Sequence, residues 1–227
     1  PDVTGGWLRP AVFGASDGLV SNLALIAGVA GGTRAADSST AVVLAGFAGL
    51  AAGAFSMAVG EYTSVASQSE AAAHEVARER AEIIANPRGE QHELAEMYVA
   101  KGVDEELAHE VARQIHADVD NAVKVHAREE LGVDPHDLAS PMLAAVSSFV
   151  AFAVGAFVPL LPYLLGAQTL LPGLAITLLA LFGAGAVVTS VTTRPWWYGG
   201  VRQMLLGGAA AAITYGVGSM VGVSGLV

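Results

Sequence analysis

The sequence predicts an all-α membrane protein: five transmembrane helices, with a hydrophilic three-helix insert between the second and third. Composition is the first reason, since 53% of the 227 residues are hydrophobic and 14% charged, whereas an average soluble domain carries about 25% charged residues. The second is that apolar residues gather in five runs, Leu8–Gly31, Thr40–Ala66, Pro141–Leu165, Leu170–Thr193 and Arg202–Val223. Helices of roughly 20 apolar residues cross a ~30 Å hydrocarbon layer, and continuous rather than alternating runs exclude a β-barrel. The third is segregation: 17 of the 21 acids and all six histidines lie between Glu70 and Asp137. The chain therefore divides into 1–69 with spans one and two, 70–137 as the insert, and 138–227 with spans three to five.

The net charge of −10 belongs to the insert, which sets 17 acids against seven Lys and Arg. That charge offers no basic face to a nucleic acid, so lipid and small cations are the expected partners. With no cysteine, neither disulfides nor thiolate ligands are available. No basic n-region or cleavage site follows Pro1, and the first span is expected to act as its own insertion signal. Basic residues in short loops set orientation. With a cytoplasmic N-terminus, Arg9, Arg194 and Arg202 lie inside and Arg34 outside, so the insert is cytoplasmic and the C-terminus external.

Asp17 and Glu61 are the two acids within the apolar runs. Asp17 comes about 13 Å below the cytoplasmic edge at ~1.5 Å per residue, a depth at which a carboxylate costs about 2.5–3.5 kcal/mol. Such a cost points to a ligand on an ion pathway. Glu61 falls about 30 Å along the second span, near the cytoplasmic mouth, with Met57 one turn deeper on the same face. Carboxylate, thioether and carboxylate then form a descending series, and a thioether favours softer transition metals over Mg²⁺ or Ca²⁺. Glycine pairs four apart, Gly14 and Gly18, Gly49 and Gly53, Gly218 and Gly222, suit close helix approach.

In the insert, Glu70–Ala85 prolongs the second span until Asn86-Pro87 stops it. A second helix is expected over Glu90–Lys101, closed by Gly102, and a third from an N-cap at Asp104 to Leu131, closed by Gly132. Leu94, Met97 and Tyr98, with Leu107, Val111, Ile115, Val119 and Val123, form apolar stripes read as core. Glu79 and Glu82, Glu90 and Glu93, and His126 and Glu130 each share a helix face. Three such pairs can converge on a divalent site, whose Glu and His donors fit Fe²⁺, Mn²⁺ or Zn²⁺ rather than Cu(I). A ferritin-like di-iron centre needs two Glu-x-x-His motifs, and only Glu106-x-x-His109 qualifies.

At these residues the chain resembles the vacuolar iron transporter family. Asp17-Gly-Leu-Val-Ser and Ser56-Met-Ala-Val-Gly-Glu-Tyr look like its pathway signatures, and Ala127-Arg-Glu-Glu-Leu-Gly-Val like the exit from its cytosolic domain. Its Glu-x2-Glu-x7-Glu-x2-Glu element is met by Glu79, Glu82, Glu90 and Glu93. A Met-Met-x2-Glu element falls on His126, Ala127 and Glu130, which replaces thioethers by an imidazole. The resemblance covers essentially the whole chain. It implies a homodimeric transporter, not an enzyme, that exchanges cytosolic Fe²⁺ for protons. The transport pathway would use Asp17, Met57 and Glu61, and the insert's metal site Glu79, Glu82, Glu90, Glu93, His126 and Glu130. Mn²⁺, Zn²⁺ and Co²⁺ are compatible with the same insert donors. An Ala/Gly/Val-rich composition and short length suggest a prokaryotic member exporting metal through the plasma membrane. The alternative is a membrane-bound metal-storing or ferroxidase-type protein using the carboxylate insert.

Overall fold

The computed structural model describes residues 6–33, 38–189 and 194–223. Among them the secondary structure is helical, without strands. Five helices are long and apolar enough to cross a membrane. The chain forms two compact units, Pro1–Thr63 with Pro141–Val227, and Ser64–Ser140.

In the first unit, α1 (Leu8–Gly32) lies against α6 (Pro141–Phe157), α8 (Leu170–Thr189) and α9 (Trp196–Val223). The glycines explain how backbones approach so closely. A Cβ on Gly14 would stand 2.7 Å from the Ser148 carbonyl oxygen of α6, and one on Gly18 would overlap the Phe152 carbonyl. Gly218 and Gly222 of α9 meet Gly28 and Gly32 of α1 in the same way. Thr214 ties the same two helices, donating to the Ala24 carbonyl at 2.7 Å. Ile26, Val42, Leu160 and Tyr163 form one buried cluster, and Ala54, Phe152 and Ala156 another.

The third span is not one α-helix. After Phe157 it tightens into a 3₁₀ turn, Val158–Leu160, before α7 (Leu161–Leu164). Pro159 and Pro162 cannot donate to the α-helical ladder, which accounts for the break. The fifth span starts at Trp196, six residues before the expected Arg202. Trp196, Trp197 and Tyr198 extend it, with the Arg194 and Arg202 guanidiniums 5.8 and 6.0 Å from the Tyr198 ring. Such aromatic and basic clusters sit at membrane–water boundaries. Of the arginines that set the expected orientation, Arg34 lies outside the described residues, as do residues 190–193 at the end of the fourth run.

α2 (Ser38–Ala85) runs unbroken for 48 residues, about 72 Å at ~1.5 Å per residue, and contributes to both units. Its last turns join α3 (Pro87–Ala100), α4 (Glu105–Ile115) and α5 (Val119–Glu130) in the second unit. α3 begins three residues earlier than expected, because Pro87 occupies its first turn and the Asn86 side chain accepts from the Gly89 N–H. The single third helix expected over Asp104–Leu131 is two. It breaks after Ile115, and the Asp118 carboxylate caps a new start by accepting from the Asp120 and Asn121 N–H groups. Positive φ at Gly102 and Gly132 releases the chain after α3 and α5.

The break also overturns part of the expected stripe. Leu107 and Val119 are 56% and 40% exposed. The core is built from Leu94, Ala95, Ala108 and Ala112, and from Ile83, Ala122 and Val123. Val119 loses the expected face because residues 116–118 do not keep the helical phase, whereas within α4 the buried face is formed by Ala108 and Ala112 and not by Leu107.

Candidate metal sites in the two units

In the first unit, α1, α2 and α6 enclose a cavity of about 220 Å³ lined by Asp17, Ser21, Asn22, Ser56, Met57 and Phe152 among others. Asp17 is half-buried, and Ser21, one turn on, donates its hydroxyl to the Asp17 carbonyl at 2.6 Å. Met57 also packs on the Ala54–Phe152–Ala156 cluster, so its thioether serves as packing as well as lining. Glu61, one turn further along α2, is half-buried and does not line the cavity. Gly49 and Gly53 leave the α2 wall open: Cβ atoms there would press on Leu25, Asn22 and the Phe152 ring.

In the second unit, ligand atoms of Glu79, Glu90 and His126 lie within 4.8 Å of one another. They come from three helices, and Glu79 and His126 are 4% and 0% exposed. His126 Nδ1 stands 2.9 Å from Oε1 of Glu79 and 2.8 Å from Oε1 of Glu130. One Nδ1 proton cannot serve both, and the hydrogen-bond geometry favours Glu130, leaving Glu79 Oε1 buried without a hydrogen bond. His126 Nε2 and His116 Nε2 are likewise buried and unpartnered, the two rings meeting edge to face at 5.1 Å. Native proteins leave few buried polar atoms unsatisfied, and here three metal-ligand-type atoms are. Donor atoms 2.8–2.9 Å apart match the ~3 Å edge of a coordination shell with ~2.1 Å bonds. A divalent ion replacing the shared proton would meet Nδ1 and both carboxylates.

Electrostatics point the same way. Burial raises the Glu79 carboxyl above its usual 4.5, and the charges of Glu130, Glu90 and Glu82 add to that while His126 opposes it. Burial also raises Glu90, followed by the charge of Glu93. Burial holds His116 below its usual value, which keeps its ring neutral. A cation reverses the cost of crowding carboxylates, because it favours their charged form.

Of the sequence-derived metal residues, the fold brings Glu79, Glu90, His126 and Glu130 together. Glu82 and Glu93 are exposed and outside that group, although their charges reach it. His116 and Asn22 were not singled out from the sequence. His116 has Asp120 four residues on, but the break after Ile115 separates the two and sets His116 against the His126 ring instead; an asparagine in an apolar run carries no charge to attract notice.

Fold and geometry define an integral membrane protein with candidate metal ligands in each of its units. Residues 8–219 match the model of the VIT family. The chain is 40% identical over 230 residues to "Vacuolar iron transporter" of Acanthamoeba castellanii, covering 95% of this chain and 78% of that protein. It is 34% identical over 178 residues to "Vacuolar iron transporter 1" of Arabidopsis thaliana, covering 77% and 70%. Against "Vacuolar iron transporter 1" of Oryza sativa subsp. japonica it is 30% identical over 221 residues, covering 96% and 86%. The chain belongs to the VIT family, and these relatives are named as transporters, not enzymes.

Proposed function

We propose that the protein transports a divalent transition metal, Fe²⁺ with Mn²⁺ as a second substrate, out of the cytosol in exchange for protons. The observation that carries this reading is the cavity shared by Asp17 and Met57. A carboxylate inside a membrane span is costly, and a thioether beside it suits a soft-to-borderline cation. Glu61 would receive the ion at the cytoplasmic mouth. Residues 70–137 would form a cytoplasmic metal-binding domain, between membrane segments 1–69 and 138–227. Glu79, Glu90, His126 and Glu130 would ligate the metal there, with Glu82 and Glu93 drawing it in by charge. The names of the relatives support iron as the cargo. With the N-terminus inside, the insert would face the cytosol, and the Ala/Gly/Val-rich composition and short length favour a prokaryotic plasma membrane as the working site.

The test is metal uptake into inside-out vesicles, with and without an imposed pH gradient. Accumulation of Fe²⁺ that grows with an acidic lumen is expected, and none under either condition would end the transport reading.

A homodimer belongs to the same proposal. Phe13, one turn before Asp17 on α1, is 62% exposed, so this chain's own helices leave that side of α1 uncovered and a second copy would close it. The chain has no cysteine, so Phe13→Cys gives a clean probe. Oxidative crosslinking in membranes should yield a dimer band, and monomer alone under all conditions would count against it.

A further inference from the structure

We propose that Asn22 is a further metal ligand of the membrane cavity, a neutral oxygen that takes the ion from Asp17; the idea rests on the transport reading above. Asn22 lies five residues after Asp17 on α1, about 7.5 Å further along the helix at ~1.5 Å per residue. Its side chain is 2% exposed, and its amide nitrogen donates to the Ala156 carbonyl of α6 at 2.5 Å. That contact fixes the amide, because only the NH₂ end can face a carbonyl oxygen. The oxygen must then face the other way, where it has no hydrogen-bond partner.

The place it faces is the cavity wall shared with Asp17 and Met57. A Cβ on Gly49 of α2 would stand 2.9 Å from Asn22 Oδ1, so that buried oxygen faces α2 across a position with no side chain. Carboxylate, thioether and amide oxygen thus border one space, one anionic donor with two neutral ones of different softness. The amide is held by α6 and cannot take up a proton, so it binds an ion without joining the proton exchange. A neutral ligand also holds the ion less tightly than a carboxylate, which favours release from the deeper position.

A purely structural Asn22 would tie α1 to α6 through Ala156 and leave its oxygen to water. Full-length protein in proteoliposomes separates the two roles, with Fe²⁺ and Mn²⁺ as probes. Asn22→Ala and Gly49→Ala are expected to raise the half-saturating Fe²⁺ concentration about tenfold, since one removes the oxygen and the other covers it. Asn22→Asp, which keeps an oxygen but loses the donor to Ala156, should lower both half-saturation and maximal rate. A structural role predicts another pattern: Asn22→Asp as damaging as Asn22→Ala, with no fall in the half-saturating Fe²⁺ concentration. That pattern would overturn the proposal. Should Asn22→Ala prove unstable, Asn22→Asp decides: a lowered half-saturating Fe²⁺ concentration supports the ligand, and an unchanged or raised one overturns it. Parent protein that moves no metal would instead overturn the transport reading itself.

Discussion

Asp17 and His126 show how single residues carry cost that packing alone does not recover. Asp17 lines a cavity in a unit whose described spans hold one other acid, Glu61. Asn in its place keeps the size and one carbonyl oxygen but loses the charge that offsets a divalent ion in low dielectric. Asp17→Asn should therefore abolish transport while the insert still binds metal, read by vesicle flux and by calorimetry on the same preparation. Flux equal to the parent would make Asp17 structural. His126 is the fully buried member of the second site and faces two carboxylates. The sequence suggested it through its four-residue spacing to Glu130 and its place in the element that resembles Met-Met-x2-Glu. Its contact with Glu79 joins α5 to α2, a tertiary pairing that no spacing within one helix encodes.

At the scale of elements, much was legible because local rules govern it. The Asp104 cap, the Gly102 and Gly132 exits and the stop at Asn86-Pro87 follow from residue chemistry and reappear in the fold. The split between α4 and α5 was not legible, since Asp118 can cap a helix or sit within one, and an unbroken apolar stripe favoured continuity. The three helices that carry Glu79, Glu90 and His126 form an acidic pocket whose stability depends on pH in a defined direction. The folded pKa values of Glu79 and Glu90 are raised above 4.5, so the folded state holds more protons than the unfolded one between 4.5 and those values. Their contribution is complete below 4.5 and is lost as pH rises through the raised values. Asp134 acts oppositely: the His136 N–H and the Arg128 guanidinium lower its pKa from 3.8, and its contribution disappears as pH falls through that lowered value. His116, held below 6.5 by burial, opposes the two carboxyls, since its contribution grows as pH rises toward 6.5. Two raised carboxyls against one imidazole should leave the metal-free insert most stable in mild acid and weaker toward neutrality, and metal should restore it there, because ligation needs deprotonated carboxylates. Thermal unfolding across pH, with chelator or with Mn²⁺, checks this; an insert that gains stability toward neutrality in chelator contradicts it. Changing Glu79, Glu82, Glu90, Glu93 and Glu130 together to Gln should remove high-affinity binding and reduce transport without ending it, if the insert supplies ions rather than conducting them as proposed. Unchanged metal stoichiometry in calorimetry would reduce the insert to a solvated spacer.

Across the whole molecule, burial is uneven among the spans: 39% and 44% of residues are buried in the cores of the first and third, against 17% and 11% in the second and fifth. The cavity therefore opens between two well-packed helices and one sparsely packed one, α2, which also carries Met57 and Glu61. A shift of α2 would change access and leave in place the glycine-to-backbone contacts that hold α1 to α6 and α9. The ligands proposed for that route are carboxylates and a thioether, and a carboxylate holds either a proton or a metal ion, each displacing the other. Metal arriving from the cytoplasm would expel protons from Asp17 and Glu61 inward, and protons from an acidic outer side would release the metal outward. The exchange should then run on a proton gradient and need no nucleotide. Proteoliposomes with an Fe²⁺ or Mn²⁺ gradient and a pH-sensitive dye test it: metal entering the lumen should drive protons the other way, and Asp17→Asn should abolish both signals. Metal flux with membrane charge clamped and no opposing proton movement would leave a channel or uniporter in place of the exchanger.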